Sequence, residues 1–229
     1  MKRITIILFL LIYNFSFGQN FKVTSKQLSE HEIDSIFTVN IKDKLQLEYS
    51  INRVYKYNDK AGEHFIVMTK KLVKCEEQET CSDSIKTYCF SYKNDVFNLK
   101  WSLRDFILPD SYEYSISHWT KYFKIEDYDN DGFADPIIVY GTLAMNDFSD
   151  GRIKILVYYK NKKSVIRHQN GIHDDERNTQ VDKQFYKLPI EIKNRVKDLM
   201  ENINENNHGI FPYGWKKAME KNKLKFDED

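Results

Sequence analysis

The chain has 229 residues, with 35 Lys and Arg against 34 Asp and Glu, for a formal net charge of +1. This balance leaves no basic excess to neutralise phosphates, so nucleic acid is excluded as an expected partner. The 15 Phe, 15 Tyr and 3 Trp supply apolar bulk for one sizeable core. A chain of this length requires no second domain, and we predict a single domain over 19–229.

Residues 1–18 have the pattern of a secretion signal. Lys2 and Arg3 form a basic start, an apolar run covers 4–12, and Ser16-Phe-Gly18 is a small-x-small cleavage site. The pattern predicts an exported protein, in the periplasm or outside the cell, whose mature chain begins at Gln19. The apolar run is too short to span a bilayer, so we expect no transmembrane segment in the mature chain.

A short helix followed by strands is predicted for the first half of the domain. Ser29 and Glu32 form a capping box, and Ile33, Ile36 and Phe37 lie on one helical face. From Leu45 the sequence is rich in aromatic and β-branched residues, punctuated by polar turns such as Lys93-Asn-Asp95. The predicted strands are Leu45–Tyr57, Glu63–Val73, Ile85–Tyr92, Val96–Ile107 and Trp119–Ile125.

Three cysteines, Cys75, Cys81 and Cys89, lie in this region. In an oxidising exported setting one pair is expected to form a disulfide. Cys75 and Cys81 bracket a polar loop between two strand-like runs, which makes them the preferred pair. Cys89 alternates with Tyr88 and Phe90 and is predicted to be a buried small hydrophobe. No neighbouring base supports a nucleophilic role for a cysteine.

The strongest chemical signal is the acidic loop, the run Asp127-Tyr-Asp-Asn-Asp-Gly-Phe-Ala-Asp135. Its aspartates stand at positions 1, 3, 5 and 9, and Gly132 at position 6 permits a sharp turn. Alternate carboxylates on a tightly wound loop can converge on a hard cation such as Ca²⁺. The predicted ligands are Asp127, Asp129, Asp131, the Phe133 carbonyl and Asp135. The alternative is an acidic hairpin that binds no ion.

The loop resembles two known calcium-binding patterns to different degrees. An EF-hand loop ends with a bidentate Glu at position 12 and lies between helices, whereas position 12 here is Ile138 and the flanks are strand-like. The loop is therefore more similar to the Asp-x-Asp-x-Asp-Gly-x-x-Asp turns of FG-GAP/VCBS β-repeats. Only one copy is present, which does not favour a repeat propeller.

A second candidate site is the polar segment 164–182, which is dense in charged groups. A functional interpretation places it in a cleft, where arginines hold an anionic or hydroxyl-rich ligand and acids act as bases. The alternative is a solvated loop whose charges pair with one another. The candidate ligand-binding residues are Arg167, His168, His173, Asp175, Glu176 and Arg177. Trp101, Trp119 and Trp215 could stack against sugars, but burial in the core is the favoured interpretation.

The last third of the sequence is predicted to be a hairpin followed by helices. Arg152–Tyr159 and Ser164–Arg167 are joined by a Lys160-Asn-Lys-Lys163 turn. Pro189 opens an apolar helical stripe that extends to about Ile203, and a second helix is predicted over Trp215–Lys221. The whole indicates an α+β fold, an antiparallel β-sheet meander with short N-terminal and C-terminal helices. A partial barrel and a propeller-like arrangement both remain open.

Several long runs resemble a family of exported surface polysaccharide biosynthesis proteins of Gram-negative bacteria. They are DYDNDGFADPIIVYGT (127–142), DGRIKILVYYKNKKSVIRHQNG (150–171), ERNTQVDKQFYKLP (176–189) and NNHGIFPYGWKKAM (206–219). The resemblance implies a pathway role in lipopolysaccharide or another surface glycan. It implies no particular reaction and no catalytic residue.

Three functional interpretations follow. The favoured one is a non-enzymatic exported accessory protein, in which a Ca²⁺-ordered loop braces a sheet beside a cleft that binds a surface glycan or an envelope protein. The second is a glycan-modifying hydrolase or transferase that uses acids or histidines of 164–182. The third is a protein–protein interaction or inhibitor module. Loss of turnover on substitution of Asp175 or Glu176 would favour the second, and one stoichiometric protein partner the third.

Overall fold

The structure, a computed structural model, describes residues 21–75, 81–109, 111–144 and 150–228. The predicted signal over 1–18 lies outside the described residues. Three short elements come first: β1 (Thr24–Gln27), α1 (Glu30–Ile36) and α2 (Val39–Lys44). The strands that follow are β2 (Ser50–Asp59), β3 (Gly62–Val73), β4 (Cys81–Lys93), β5 (Val96–Phe106), β6 (Ser115–His118), β7 (Ile137–Leu143), β8 (Arg152–Tyr159), β9 (Lys162–Gln169) and β10 (Asn178–Val181). The chain ends with α3 (Ile190–Glu205), α4 (Trp215–Glu220) and β11 (Lys225–Asp227).

The strands form two open antiparallel sheets. The first sheet has the order β1-β2-β3-β4-β5, and the second has the order β11-β10-β9-β8-β7-β6. Neighbours in each sheet are mostly neighbours in sequence, as short hairpin connections require. In the part of the chain that the structure describes, neither sheet closes into a barrel. The predicted α+β class and antiparallel meander are confirmed.

Three hydrophobic clusters arrange the elements as four layers. The first cluster packs α1 and α2 against one face of the first sheet, the second lies between the sheets, and the third packs α3 and α4 on the far face of the second sheet. Representative members of the first are Phe37 and Phe65, of the second Ile66 and Leu156, and of the third Ile155 and Val196. The layer order is therefore helices, sheet, sheet, helices.

The central strands are apolar on both faces because both faces are covered. Phe65 and Val67 face the helices of the first layer, whereas Ile66 and Met68 face the second sheet. Successive strand side chains point to opposite faces, so this four-residue run is buried without interruption. Each residue of the run removes apolar surface from water, at about 25 cal/mol per Å².

Two of the predicted turns have the backbone that tight hairpins require. Lys160 and Asn161, between β8 and β9, have φ angles of 49° and 61°. Asn94 and Asp95, between β4 and β5, have φ angles of 51° and 60°. Positive φ at both central residues matches the twist of the flanking strands. The hairpin predicted around Lys160-Asn-Lys-Lys163 is therefore present.

The helix predictions at both ends hold, with small boundary differences. Ser29 accepts the Glu32 N–H at 3.3 Å and the Glu32 carboxylate accepts the Ser29 N–H at 2.9 Å, which is the predicted capping box. The apolar stripe of α3 is buried at Ile192, Val196 and Ile203. No helix among the described residues is both long enough and apolar enough to cross a membrane.

The strand predicted over Trp119–Ile125 is wrong. Thr120–Tyr122 form a 3-10 turn, and only an isolated bridge pairs Lys124 with Ile137. The turn sends Trp119 and Tyr122 into the outer cluster of the second sheet and Phe123 and Ile125 into the inter-sheet cluster. The aromatic content of this segment therefore reflects burial in two layers, which a strand signal does not distinguish. The predicted strand at Leu45 also begins later, at Ser50.

A disulfide joins Cys75 to Cys81, whose Cα atoms are 5.9 Å apart. It links the end of β3 to the start of β4, next to the segment 76–80, which lies outside the described residues. Cys89 is free and buried beside the Tyr57 hydroxyl, at 3.5 Å. Burial raises the pKa of the Cys89 thiol to about 12, so it is not a ready nucleophile.

Candidate metal site

The acidic loop lies between the 3-10 turn after β6 and the start of β7. Its base is closed by the Lys124–Ile137 bridge and by the Asp135 N–H, which donates to the Glu126 carbonyl at 2.7 Å. The nine-residue loop is therefore a protrusion from the second sheet, fixed at both ends. The strand-flanked geometry expected from the sequence is present on the β7 side only.

The loop is wound around the Asp127 carboxylate. The N–H of Asp131 donates to Asp127 Oδ1 at 3.1 Å, and the N–H of Gly132 donates to Asp127 Oδ2 at 2.8 Å. Asn130 and Gly132 have φ angles of 59° and 89°, which Asn tolerates and Gly adopts freely. The glycine at position 6 thus has the conformational role that the sequence predicts.

Three carboxylates converge within this winding. Oxygen atoms of Asp127, Asp129 and Asp135 lie within 4.8 Å of one another. Asp135 is buried, and the other two are partly buried. Oxygen donors gathered from alternate loop positions are the arrangement that a hard divalent cation accepts. These residues could hold such an ion.

The other two predicted ligands are placed differently. One carboxylate oxygen of Asp131 lies 3.1 Å from the Lys160 ammonium, and the other accepts the Phe133 N–H at 3.0 Å. Asp131 is therefore outside the group of three and turned toward the β8–β9 turn. Phe133, two residues further on, is 38% exposed.

The electrostatics of the loop favour a cation. Burial and, to a smaller extent, the negative charges of Asp129, Asp131 and Asp127 together raise the pKa of Asp135 to about 7, against the lowering effect of a hydrogen bond from the Tyr128 N–H. Like charges in a partly dry site disfavour ionisation of the last carboxyl. A bound divalent ion would remove that penalty by supplying the missing positive charge.

Two hairpin turns, one from each sheet, hold the loop. From the first sheet, the Lys60 N–H donates to the Gly132 carbonyl at 2.8 Å, and Asp59 Oδ2 accepts the Ala134 N–H at 3.2 Å. From the second sheet, the Tyr159 hydroxyl donates to Asp129 Oδ2 at 2.9 Å. The acidic loop therefore connects the two sheets through hydrogen bonds to a turn of each.

The polar segment 164–182 is only partly a surface loop. His168 lies in β9 and is buried, with its Nδ1 2.9 Å from Thr179 Oγ1 and its Nε2 3.0 Å from Asn170 Oδ1. Burial lowers the pKa of His168 to about 4, so it is neutral at neutral pH. Both ring nitrogens have partners inside the protein, which leaves no group for a ligand.

Arg177 is also a structural residue. It is buried, and its guanidinium donates to the carbonyls of Gly171 and Ile172, both at 2.8 Å. The same group contacts Asp174 at 2.7 Å and Glu228 at 3.0 Å. The predicted role of binding a ligand does not fit this placement, because the N–H donors of Arg177 bind groups within the protein and hold the loop before β10 in place.

The remaining candidates of this segment are on the surface. Arg167 forms an ion pair with Asp182 at 2.6 Å, and Asp175 is exposed in the 3-10 turn 174–176. His173 and Glu176 line a cleft of about 510 Å³ together with Arg152. We call this the polar cleft. The structure therefore brings two of the six candidates to one cavity.

The acidic loop and the polar cleft lie at opposite ends of the β8–β9 hairpin. Tyr159 at the end of β8 contacts the acidic loop, whereas Arg152 at its start lines the polar cleft. The seven steps along β8 from Arg152 to Tyr159, at about 3.3 Å each, separate the two sites by roughly 23 Å. We expected the polar segment 164–182 to form a cleft beside the acidic loop, and the structure corrects this. After the β8–β9 turn, β9 runs away from the acidic loop, so His173 and Glu176 lie at the other end of the hairpin.

A different cleft, of about 310 Å³, adjoins the acidic loop, and it contains residues that sequence reasoning did not select. Asp59, His64 and Tyr158 are such residues, and Trp101, which the sequence offered as a sugar-stacking residue, lines the cleft with them. No local motif marks them, since they come from four strands and meet only when the sheets pack together. We call it the inter-sheet cleft.

Comparisons of the chain with protein-family models, with curated protein sequences and with solved structures found no match.

Proposed function

We propose that this protein is a non-enzymatic binding protein of the cell envelope in which the acidic loop holds one Ca²⁺ as a structural ion. The observation that carries the proposal is the convergence of Asp127, Asp129 and Asp135 within 4.8 Å. An all-oxygen donor set selects Ca²⁺, Mg²⁺ or Mn²⁺ over softer metals. Ca²⁺ tolerates the irregular geometry of a loop, whereas Mg²⁺ demands near-ideal octahedral coordination.

The ion would act by joining the sheets. The loop contacts the β2–β3 turn through Asp59 and Lys60, and the β8–β9 turn through Tyr159 and Lys160. An ion that neutralises the carboxylates fixes the loop against both turns. Asp131 and the Phe133 carbonyl complete the proposed donor set once the Asp131 side chain leaves Lys160. Binding only to the folded state stabilises it, by about 2.7 kcal/mol at 100 times the Kd.

The envelope location and a surface-glycan or envelope-protein partner belong to the same proposal. The basic start, apolar run and small-x-small site of residues 1–18 support export. The runs quoted above support a link to surface polysaccharide through resemblance. A binding role is favoured over a reaction because Arg177 and both ring nitrogens of His168 are engaged in internal hydrogen bonds.

The test is a thermal melt of residues 19–229 in EDTA, in Ca²⁺ and in Mg²⁺. We expect Ca²⁺ to raise the Tm by about 5–10 °C at saturation, given the stabilisation above and the few degrees per kcal/mol typical of this size. Asp129→Asn should abolish most of the response. Asp175→Asn, an exposed acid in the polar segment, is the matched control and should respond like the parent. No Ca²⁺ response in the parent would refute the metal site.

One observation favours a second candidate, a glycan-modifying enzyme. Glu176 and His173 line the polar cleft, where an acid and a base could act on a bound sugar. Glu176→Gln removes the acid while keeping the side-chain shape. A turnover of surface glycan that Glu176→Gln eliminates, with an unchanged Tm, would establish this candidate. Equal turnover of surface glycan by the parent and by Glu176→Gln would show that Glu176 has no catalytic role in the polar cleft.

A further inference from the structure

The rim of the polar cleft carries three large apolar side chains that the fold leaves in water. Leu108 follows β5 of the first sheet, Tyr112 lies between β5 and β6, and Ile172 follows β9 of the second sheet. They are 53%, 83% and 49% exposed. Single exposed apolar side chains are ordinary on a protein surface, whereas a group of them around one cavity is typical of an interaction site.

The side chains beneath this rim are polar. Glu113 accepts the Arg152 Nε–H at 2.7 Å, and the two side chains are 9% and 20% exposed. Asn170 is buried, and its Oδ1 accepts the Ile210 N–H at 2.8 Å. A polar floor of this kind does not shield the apolar rim from water. Burial of the rim therefore requires apolar surface from a second molecule.

The backbone that carries the rim is held in place. The Tyr114 N–H donates to the Leu143 carbonyl of β7 at 2.9 Å, which fixes the chain two residues after Tyr112. The Ile172 carbonyl accepts a hydrogen bond from the buried Arg177 guanidinium at 2.8 Å. A partner therefore meets side chains on an ordered backbone, which lowers the entropy cost of binding.

The charge at the rim is negative. The 3-10 turn 174–176 carries three consecutive acids. Of these, Glu176 is exposed, lines the cleft and forms no ion pair with the residues that the structure describes. Arg177, next in the chain, is shared by Asp174 at 2.7 Å and Glu228 at 3.0 Å. A cation brought by a partner therefore meets an accessible carboxylate at the rim.

The apolar rim and its charge together select a polypeptide partner over a sugar or a lipid surface. Protein interfaces combine an apolar centre, often with Tyr, and a polar rim. Leu108 and Ile172 are aliphatic, so they provide neither hydrogen bonds nor an aromatic face to a sugar. The acidic turn repels the anionic headgroups of a membrane. A polypeptide with basic and apolar side chains complements both features.

We propose that the polar cleft docks a segment of a partner protein in which Lys or Arg is flanked by bulky apolar side chains. The inference rests on the proposed binding function and names the kind of partner. It assigns Glu176 to recognition of a cation and requires no reaction. It does not depend on the metal, because the acidic loop lies at the far end of the β8–β9 hairpin.

The experiment is a selection of displayed random dodecapeptides on residues 19–229, followed by titration of the most enriched peptide by fluorescence anisotropy. We expect enrichment of peptides with Lys or Arg beside Leu, Ile or Phe. Tyr112→Ser and Ile172→Ser should each weaken binding of that peptide about tenfold, as central interface residues do. Glu176→Gln should weaken it about fivefold, the size of one exposed ion pair, and this loss should shrink in high salt.

Tyr213→Ser, at a 93% exposed tyrosine outside the cleft, and Glu191→Gln, at an exposed acid of α3, are the matched controls and should bind like the parent. Thermal melts establish that each variant is folded. No enriched peptide, enrichment without a basic residue, or binding unaffected by Tyr112→Ser and Ile172→Ser would overturn the proposal.

Repeating the titration in EDTA and in Ca²⁺ separates this proposal from the metal site. We expect the same peptide affinity in both. Peptide binding by a protein whose Tm does not respond to Ca²⁺ would support the docking surface and refute only the metal site.

Discussion

The backbone N–H of Ala134 donates a hydrogen bond to Asp59 Oδ2 across 3.2 Å. Ala134 belongs to the acidic loop, and Asp59 ends β2 in the other sheet. The second carboxylate oxygen of Asp59 accepts the Ala61 N–H at 2.8 Å and lies 3.1 Å from His64 Nε2. One buried carboxylate thus connects a hairpin turn, the acidic loop and the inter-sheet cleft.

Asp59→Ala should therefore destabilise the protein and weaken its Ca²⁺ response. The substitution leaves the Ala134 and Ala61 N–H groups and His64 without their acceptor, and we expect a loss of about 2–3 kcal/mol in the free energy of unfolding. Urea unfolding in EDTA measures the loss, and a Ca²⁺ titration measures the response. Asp59→Asn, which retains a carbonyl oxygen, should lose less. Equal stability of the parent and Asp59→Ala would contradict a linking role.

Gly132, in the acidic loop, and Gly214, before α4, have similar positive φ angles and provide a matched test of the loop. Gly132 has φ +89° and a Cβ there would lie 3.2 Å from Lys60 Cδ, whereas Gly214 has φ +73° and open space. Gly132→Ala and Gly214→Ala should each cost about 1–2 kcal/mol through backbone strain. Only Gly132→Ala should also reduce the Ca²⁺-induced rise in Tm. A reduction of equal size in both variants would indicate that the acidic loop is not the metal site.

Calcium affinity should depend on pH through Asp135. Its pKa is raised to about 7 by burial and by neighbouring acids, and a carboxyl must lose its proton to bind the ion. A group with that pKa is about one-tenth ionised at pH 6, so Ca²⁺ should bind roughly tenfold more weakly at pH 6 than at pH 8. Calorimetric titrations at the two pH values measure the ratio. In Asp135→Asn the ratio should approach one.

In the metal-free protein, the stability contributed by Asp135 should change with pH in the opposite direction to the calcium affinity. The Asp135 carboxyl ionises near pKa 3.9 when the chain is unfolded and near 7 when it is folded, so the folded state binds more protons between about pH 4 and pH 7. Its contribution to stability therefore falls as the pH rises through that window and is constant above it. Urea unfolding in EDTA across the window, with Asp135→Asn as control, isolates this contribution. A pH dependence identical in both proteins would rule Asp135 out as its source.

Two arginines of the polar segment should behave differently when replaced. Arg177 is buried and bonded to two carbonyls and two acids, whereas Arg167 is 43% exposed with a single ion pair. Arg177→Met should lower the free energy of unfolding by about 2–3 kcal/mol, because buried acceptors lose a charged donor. Arg167→Met should change it by less than about 1 kcal/mol. Chemical denaturation of both variants decides whether Arg177 has the structural role assigned above.

Local patterns in the sequence determined the elements whose causes are local. The Ser29–Glu32 capping box, the turn at Lys160 and the winding of the acidic loop around Asp127 each depend on residues a few positions apart. Those interactions form in whatever fold surrounds them, so the sequence predicts them well. The antiparallel meander followed from the short spacing between strands for the same reason.

Only the tertiary structure determined those features that depend on contacts between segments distant in sequence. The sequence predicts that His168 is a polar loop residue. In the structure, β10 and the segment before α4 bury it between Thr179 and Asn170. Trp119–Ile125 reads as a strand because its aromatics are buried, but they are shared between two layers. Asp59 and Ala134 are 75 positions apart and meet only because two sheets pack face to face. The inter-sheet cleft has the same origin, since the sequence specifies its residues while the packing of the sheets brings them together.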